Sequence, residues 1–265
     1  MGNQKEKKIG VVDSGLGGLT VVRELERLLP EESIAYFGDN ANCPYGNRPK
    51  GEILDLSRAM LDFMREQGVK IVAIACNTIS ILAGELRTQY DFPIVSIIEA
   101  ACSHAAAQNF DQIGLFATEF TVKAGLYNTL IHSRSPETKV YGVPSRTLAA
   151  LVDDAHFNEN AAETEIRSML DLLLKAAPRV KHVILGCTHY PLVQELFEKA
   201  APGLSFINPA VLHAEAVKAQ LEEQGLLRET PQPNLEIFTS GEKSQYERAI
   251  TKLGIRGPFT LSIIK

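Results

Sequence analysis

Short apolar runs alternate with helix-patterned stretches along almost the whole chain, and few folds accept that alternation. "IGVV" (9–12), "SIAYFGD" (33–39), "IVAIAC" (71–76), "IVSII" (94–98), "IGLFAT" (113–118), "VYGV" (140–143), "VILGC" (183–187) and "LSFINP" (204–209) are each too short for a helix. Polar residues, glycine or proline bound them, so they read as buried strands. Between them lie candidate helices, most clearly "TVVRELERLLP" (20–30) and "AETEIRSMLDLLLKAAP" (162–178). In the first, Val21, Leu25, Leu28 and Leu29 share one face and Pro30 marks the stop. The pattern predicts an α/β fold with largely parallel sheets flanked by helices. Binding loops then belong at the carboxyl ends of the strands.

The chain has 265 residues, enough for one large domain or two small ones, each with its own core. A repeated design favours two. "IVAIACNTISIL" (71–82) and "HVILGCTHYPLV" (182–193) both run from an apolar strand through a small residue and a cysteine to a polar pair and a helix start. The cysteines lie 187 − 76 = 111 residues apart, about one domain length. The expectation is two similar α/β lobes, residues 1–98 with 209–265 and residues 99–208, each presenting one cysteine at a strand end. Chance likeness of short buried strands is the alternative at this point.

Composition narrows the function classes. With a formal charge of −5 and 22% charged residues, the chain has no basic excess directing it to nucleic acid or an anionic membrane. "MGNQKEKK" has no apolar core ahead of a cleavage site and fits a myristoylation signal poorly, so it reads as a solvated tail. No apolar run reaches the roughly 18 residues of a membrane span. Cys43, Cys76, Cys102 and Cys187 form no CXXC pair and read as free thiols of a cytoplasmic protein.

Cys76 follows a buried strand and precedes a helix start, where backbone N–H groups and the helix dipole favour a thiolate. Asn77 and Thr78 add donors in the same turn. A single such cysteine reads as a small buried hydrophobe. Cys187, with matching flanks in "GCTHYPL", changes that reading. Thr188 and His189 are its polar pair, and His189 can hydrogen-bond a thiolate or a bound carboxylate. Cys187 and His189 have no second ligand pair nearby in sequence, so no metal site is expected. "VVDSGLGG" (11–18) has glycines at a strand end but neither phosphate-loop spacing nor its lysine. Asp13 suits an ammonium group or proton transfer, and Ser14 a hydrogen bond to a small zwitterion. Its glycines would let the backbone turn tightly. In "NCPYGN" (42–47), Tyr45 and Gly46 sit in a turn that can meet a carboxylate.

"GVVDSGLGGLTV", "YFGD" followed by "PYG", "ACNT" and "GCTHYPL" occur in an order and spacing that resemble the aspartate/glutamate racemase family. "FTSGEKSQYERAITKLG" (238–254) is similar to its C-terminal segment, and "IGLFATEFTVKAGLY" (113–127) is similar more loosely. The resemblance implies two α/β lobes with the active site in the cleft between them, and racemisation of an amino acid without pyridoxal phosphate, metal or other cofactor. It implies that Cys76 and Cys187 act on opposite faces of the α-carbon, each as base in one direction and acid in the other. Asp13 and His189 would assist them. Substrate contacts carry over to Asp13, Ser14, Tyr45, Gly46, Asn77, Thr78, Thr188 and His189, with Thr118 and Thr121 as further candidates. The implied substrate is glutamate, its D-isomer serving peptidoglycan synthesis; aspartate or a hydantoin is the runner-up. Family members are often dimeric, so a homodimer is an expectation too.

The chain departs from the family in "YGVPSRTLAALVDDA" (141–155): a cysteine is missing, and Asp153 stands where a glutamate near the histidine is expected. "IIEAA" (97–101) lacks the proline that commonly follows the glutamate. Decarboxylation in a related fold would need one catalytic cysteine. A silent binding protein or regulator would show degenerate cysteine motifs, and both motifs are intact.

Overall fold

The computed structural model describes residues 3–154, 156–255 and 257–264. The strands are β1 (Ile9–Asp13), β2 (Ser33–Gly38), β3 (Ile71–Ile74), β4 (Ile94–Ser96), β5 (Gln112–Thr118), β6 (Lys139–Ser145), β7 (His182–Gly186), β8 (Ser205–Ile207), β9 (Asn234–Thr239) and β10 (Phe259–Ile263). They form a six-stranded sheet in the order β10-β9-β2-β1-β3-β4 and a four-stranded sheet in the order β6-β5-β7-β8. Both sheets pair in parallel throughout. β1 and β3 are buried at every position, as strands covered by helices on both faces must be.

The eight apolar runs are β1 to β8. The order β2-β1-β3-β4 recurs as β6-β5-β7-β8, so the two cysteine motifs belong to a repeated four-stranded unit. β9 and β10 extend the first unit into the larger sheet. The helix Leu19–Leu28 buries Val21 and Leu25 and is closed by the Leu29 N–H donating to the Leu25 carbonyl, with Pro30 next. The helix expected over 162–178 runs Glu159–Ala176, opened by the Asn158 side chain accepting from the Ala161 N–H.

The two sheets do not keep separate cores. One apolar cluster joins Val11 and Ala73 of the large sheet to Leu115 and Ile184 of the small one through Ile97, Ala101, Tyr127, Ala214 and Val217. The helices Ile97–Ala107, Leu126–Arg134 and Pro209–Glu223 carry these linking residues, so the two sheets share one interior. The outer faces are filled by two further clusters.

The N-terminal segment is tied down where a solvated tail was expected, with Met1 and Gly2 lying outside the described residues. The buried Lys70 ammonium donates to Glu32 Oε2 at 2.6 Å, to the Lys5 carbonyl at 2.8 Å and to the Leu226 carbonyl at 2.9 Å. A desolvated ammonium needs all three acceptors, and that need fixes residues 5 and 226 against the large sheet. Among the described residues no helix is long and apolar enough to cross a membrane.

Candidate active site

The carboxyl ends of β1 and β3 face those of β5 and β7 across a nearly closed cavity. In each repeated unit the chain leaves these neighbouring strands in opposite directions, opening a crevice between their ends. Cys76 and Cys187 each lie just past a strand end, β3 and β7, and both line the cavity. Its free volume is about 10 Å³, room for about one water. A bound amino acid therefore requires the two sides to part.

Ser14, Tyr45, Gly46, Asn77, Thr78, Thr118, Thr188 and His189 complete the wall predicted from sequence. Asp13 and Thr121 stand behind it. Asp13, fully buried, accepts from the Gly15 N–H at 2.9 Å through Oδ1 and from Thr188 Oγ1 at 3.0 Å through Oδ2, which ties β1 to the loop after β7. Thr121 Oγ1 accepts from Thr118 at 3.0 Å, and Thr118 Oγ1 meets Thr78 Oγ1 at 3.1 Å across the cleft. The Tyr45 hydroxyl donates to Asp39 Oδ2 at 2.6 Å, so its proton is not free to face the cavity.

The first loop makes the expected tight turn, with the Leu19 N–H donating to the Leu16 carbonyl at 3.1 Å, but its glycines serve a further purpose. None of Gly15, Gly17 and Gly18 has a positive φ. Gly17 is instead a contact point: a Cβ there would lie 2.6 Å from Thr188 Oγ1 and 2.9 Å from the His189 backbone nitrogen. The missing side chain lets the two halves of the site meet.

Electrostatics distinguish the titratable groups. Burial pushes Asp13 up to about 6, against the pull of His189, the Gly15 N–H and Thr188. Burial also pushes the Cys76 thiol up to about 12, with the Asp13 charge adding to it. Its contacts with Ser14 and the Ile79 N–H pull the other way. The helix start that favours a thiolate at Cys76 is only four residues long, Asn77–Ser80, and in the closed cavity desolvation outweighs it. Its S–H faces Ser14 Oγ at 3.5 Å. Burial opposes a charged His189, but Asp153, Cys187 and Cys43 outweigh it and raise it well above the ordinary histidine range. Its Nε2 lies 3.3 Å from Asp153 Oδ1 and its Nδ1 lies 3.8 Å from Cys187 Sγ. Asp153 therefore occupies the position assigned to it in sequence. Asn40 of the large-sheet side holds its second oxygen at 3.1 Å.

Three further neighbours of the site are not among the candidate site residues of the sequence. Cys43 lines the cavity beside His189. Asn40 comes from the loop after β2. Tyr127 donates to Asn77 Oδ1 at 2.7 Å, which fixes the amide. Asn77 Nδ2 has no partner among the described residues and belongs to a wall residue, so it is a donor free for a ligand.

Residues 9–217 match the family model described as Asp/Glu/Hydantoin racemase. A glutamate racemase of Trichormus variabilis is 36% identical over 243 residues, covering 91% of this chain and 82% of that protein. A crystal structure of a Bacillus anthracis glutamate racemase superposes with a TM-score of 0.90 at 30% identity, covering 98% of each chain. A Francisella tularensis glutamate racemase crystallised with D-glutamate superposes with a TM-score of 0.89 at 29% identity, again covering 98% of each.

Proposed function

The chain belongs to the Asp/Glu/hydantoin racemase family, and we propose that it interconverts L- and D-glutamate with Cys76 and Cys187 as the two proton-transfer groups. The observation that carries this reading is that two thiols, each ending a strand of a different sheet, line one cavity. Inversion at one carbon requires a proton group on each face. One thiolate takes the α-proton and becomes a thiol; the carbanion takes a proton from the other thiol, which becomes the thiolate. The proton count balances with no further reactant, and the enzyme ends in the mirror protonation state.

The remaining wall supports binding of a zwitterion. Asn77 Nδ2 is a free donor for a carboxylate, and the Thr78 hydroxyl becomes one when the two sides part and its contact with Thr118 Oγ1 is broken. Asp13, acting through the wall, holds the ammonium. His189, clamped by Asp153, exchanges a proton with Cys187. The reading takes residues 1–98 with 209–265 as one lobe and 99–208 as the other, and assigns the product to peptidoglycan synthesis in the cytoplasm.

The test is incubation with L-glutamate in deuterated water without added cofactor, following the α-proton signal and optical rotation together. Loss of both is expected. Turnover of aspartate but not glutamate would overturn the substrate assignment, and no exchange with either would overturn the reaction.

Two smaller effects follow from the geometry. Tyr127→Phe frees the Asn77 amide to rotate and leaves Oδ1 unpaired, so KM for glutamate should rise about 10-fold, with kcat changed less. An unchanged KM would show that the Asn77 amide needs no clamp. Gly17→Ala puts a methyl against the Thr188 backbone and should hold the two halves apart. We expect kcat/KM to fall about 10- to 100-fold, since overpacking costs roughly 1–3 kcal/mol. Steady-state kinetics at near-normal thermal stability would check it.

A further inference from the structure

Cys43 Sγ, an Asp153 carboxylate oxygen and a ring nitrogen of His189 all lie within 4.8 Å of one another. They come from three parts of the chain: the loop after β2, the helix Leu148–Asp153 and the loop after β7. We propose that Cys43, Asp153 and His189 Nε2 form a binding site for a thiolate-preferring divalent cation of the zinc class, which pins the cleft shut when occupied.

The donor set is what zinc selects, with one sulfur, one imidazole nitrogen and one carboxylate oxygen. Ligands on a tetrahedral zinc stand about 3.5 Å apart, so about 1 Å of side-chain movement closes the set. The space for an ion exists because residue 15 is glycine. A Cβ at that position would sit 3.2 Å from Cys43 Sγ and 3.2 Å from His189 Nε2. The carboxylate is already oriented by Asn40, which holds the oxygen that does not face His189. An ion reaches the site from outside, since Cys43 and Asp153 are only partly buried and Asp153 also borders a surface pocket of about 200 Å³. Three protein ligands leave a fourth position for water or a substrate carboxylate.

The sequence does not reveal this set, because its three donors come from distant parts of the chain. Cys43 and His189 are 189 − 43 = 146 residues apart. The site shares His189 with the proposed racemase chemistry, but metal binding is measured without turnover, so either can fail alone.

The experiment is titration of the metal-free protein with Co²⁺, reading the thiolate-to-cobalt charge-transfer band, followed by displacement with Zn²⁺. We expect a saturable band that Zn²⁺ removes. Cys43→Ser should abolish it, and Asp153→Asn should weaken Co²⁺ binding about 10- to 100-fold, while Cys187→Ser leaves it in place. Gly15→Ala, which removes no ligand, should weaken binding by filling the ion's space. No band in the unaltered protein overturns the proposal. A band that survives in Cys43→Ser but is lost in Cys187→Ser also overturns it, by placing the metal on the Cys187–His189 pair.

Discussion

Cys76→Ala and Cys187→Ala are each expected to lower racemisation of glutamate by about 10³-fold or more, within the range that a lost acid–base group costs, compounded by the need for both faces. Loss of activity alone would not separate two bases from one base and one structural thiol. The variants should therefore differ in α-proton exchange. The thiol that remains serves only one face, so it can remove the α-proton of one enantiomer and return a deuteron to the same side. In deuterated water, each variant should slowly exchange one enantiomer of glutamate without changing its optical rotation, and the two variants should prefer opposite enantiomers. If both exchange the same enantiomer, or if either keeps most of its turnover, the two-base assignment is wrong.

Strands and cysteines were legible in the sequence because they are local signals. A fully buried parallel strand is a continuous apolar run, and β1 to β8 each show one. β9 and β10 do not. In β9, Asn234 and Glu236 interrupt the apolar residues, and β10 lies at the sheet edge with Phe259 and Ile263 exposed, so neither reads as a core strand. The site was legible in the same uneven way. Cys76 and Cys187 stand at strand ends, where open α/β sheets bind ligands. Tyr127 and Cys43 acquire their roles from partners far away in sequence, and no periodicity records such a contact. Gly17 was visible as a glycine, yet its purpose depends on Thr188, which only the folded chain brings against it. At Cys76 the helix start that pulls the thiol down is visible in sequence, whereas the burial that pushes it up is not.

Asp13→Asn should cost activity and add stability, and the two effects have one origin. Asp13 titrates near 6 in the fold against an ordinary value of 3.8. Below about pH 4 both folded and unfolded chains hold the proton and no penalty exists. As pH rises, the unfolded chain ionises first, so stability falls until about pH 6 and is constant above it. That difference of about two pH units, at about 1.4 kcal/mol each, is a penalty of about 3 kcal/mol at neutral pH. Asparagine keeps an acceptor for the Gly15 N–H and gives up the buried charge. Urea unfolding at pH 7.5 should show the variant more stable by about 1–3 kcal/mol, with the gain shrinking towards pH 4. An equal gain at both pH values would assign it to packing. The activity cost follows from Cys76. In the closed cavity burial pushes its thiol up to about 12, with the Asp13 charge adding to it, so forming the Cys76 thiolate is costly there. In the proposed reaction the substrate ammonium is the positive charge that lowers this cost, and the Asp13 carboxylate holds the ammonium there. An amide does not hold it, so kcat should fall about 10²-fold or more and the rate should lose its dependence on a group near pH 6. If that limb of the profile persists in Asp13→Asn, another group carries it and Asp13 serves only to bind Thr188.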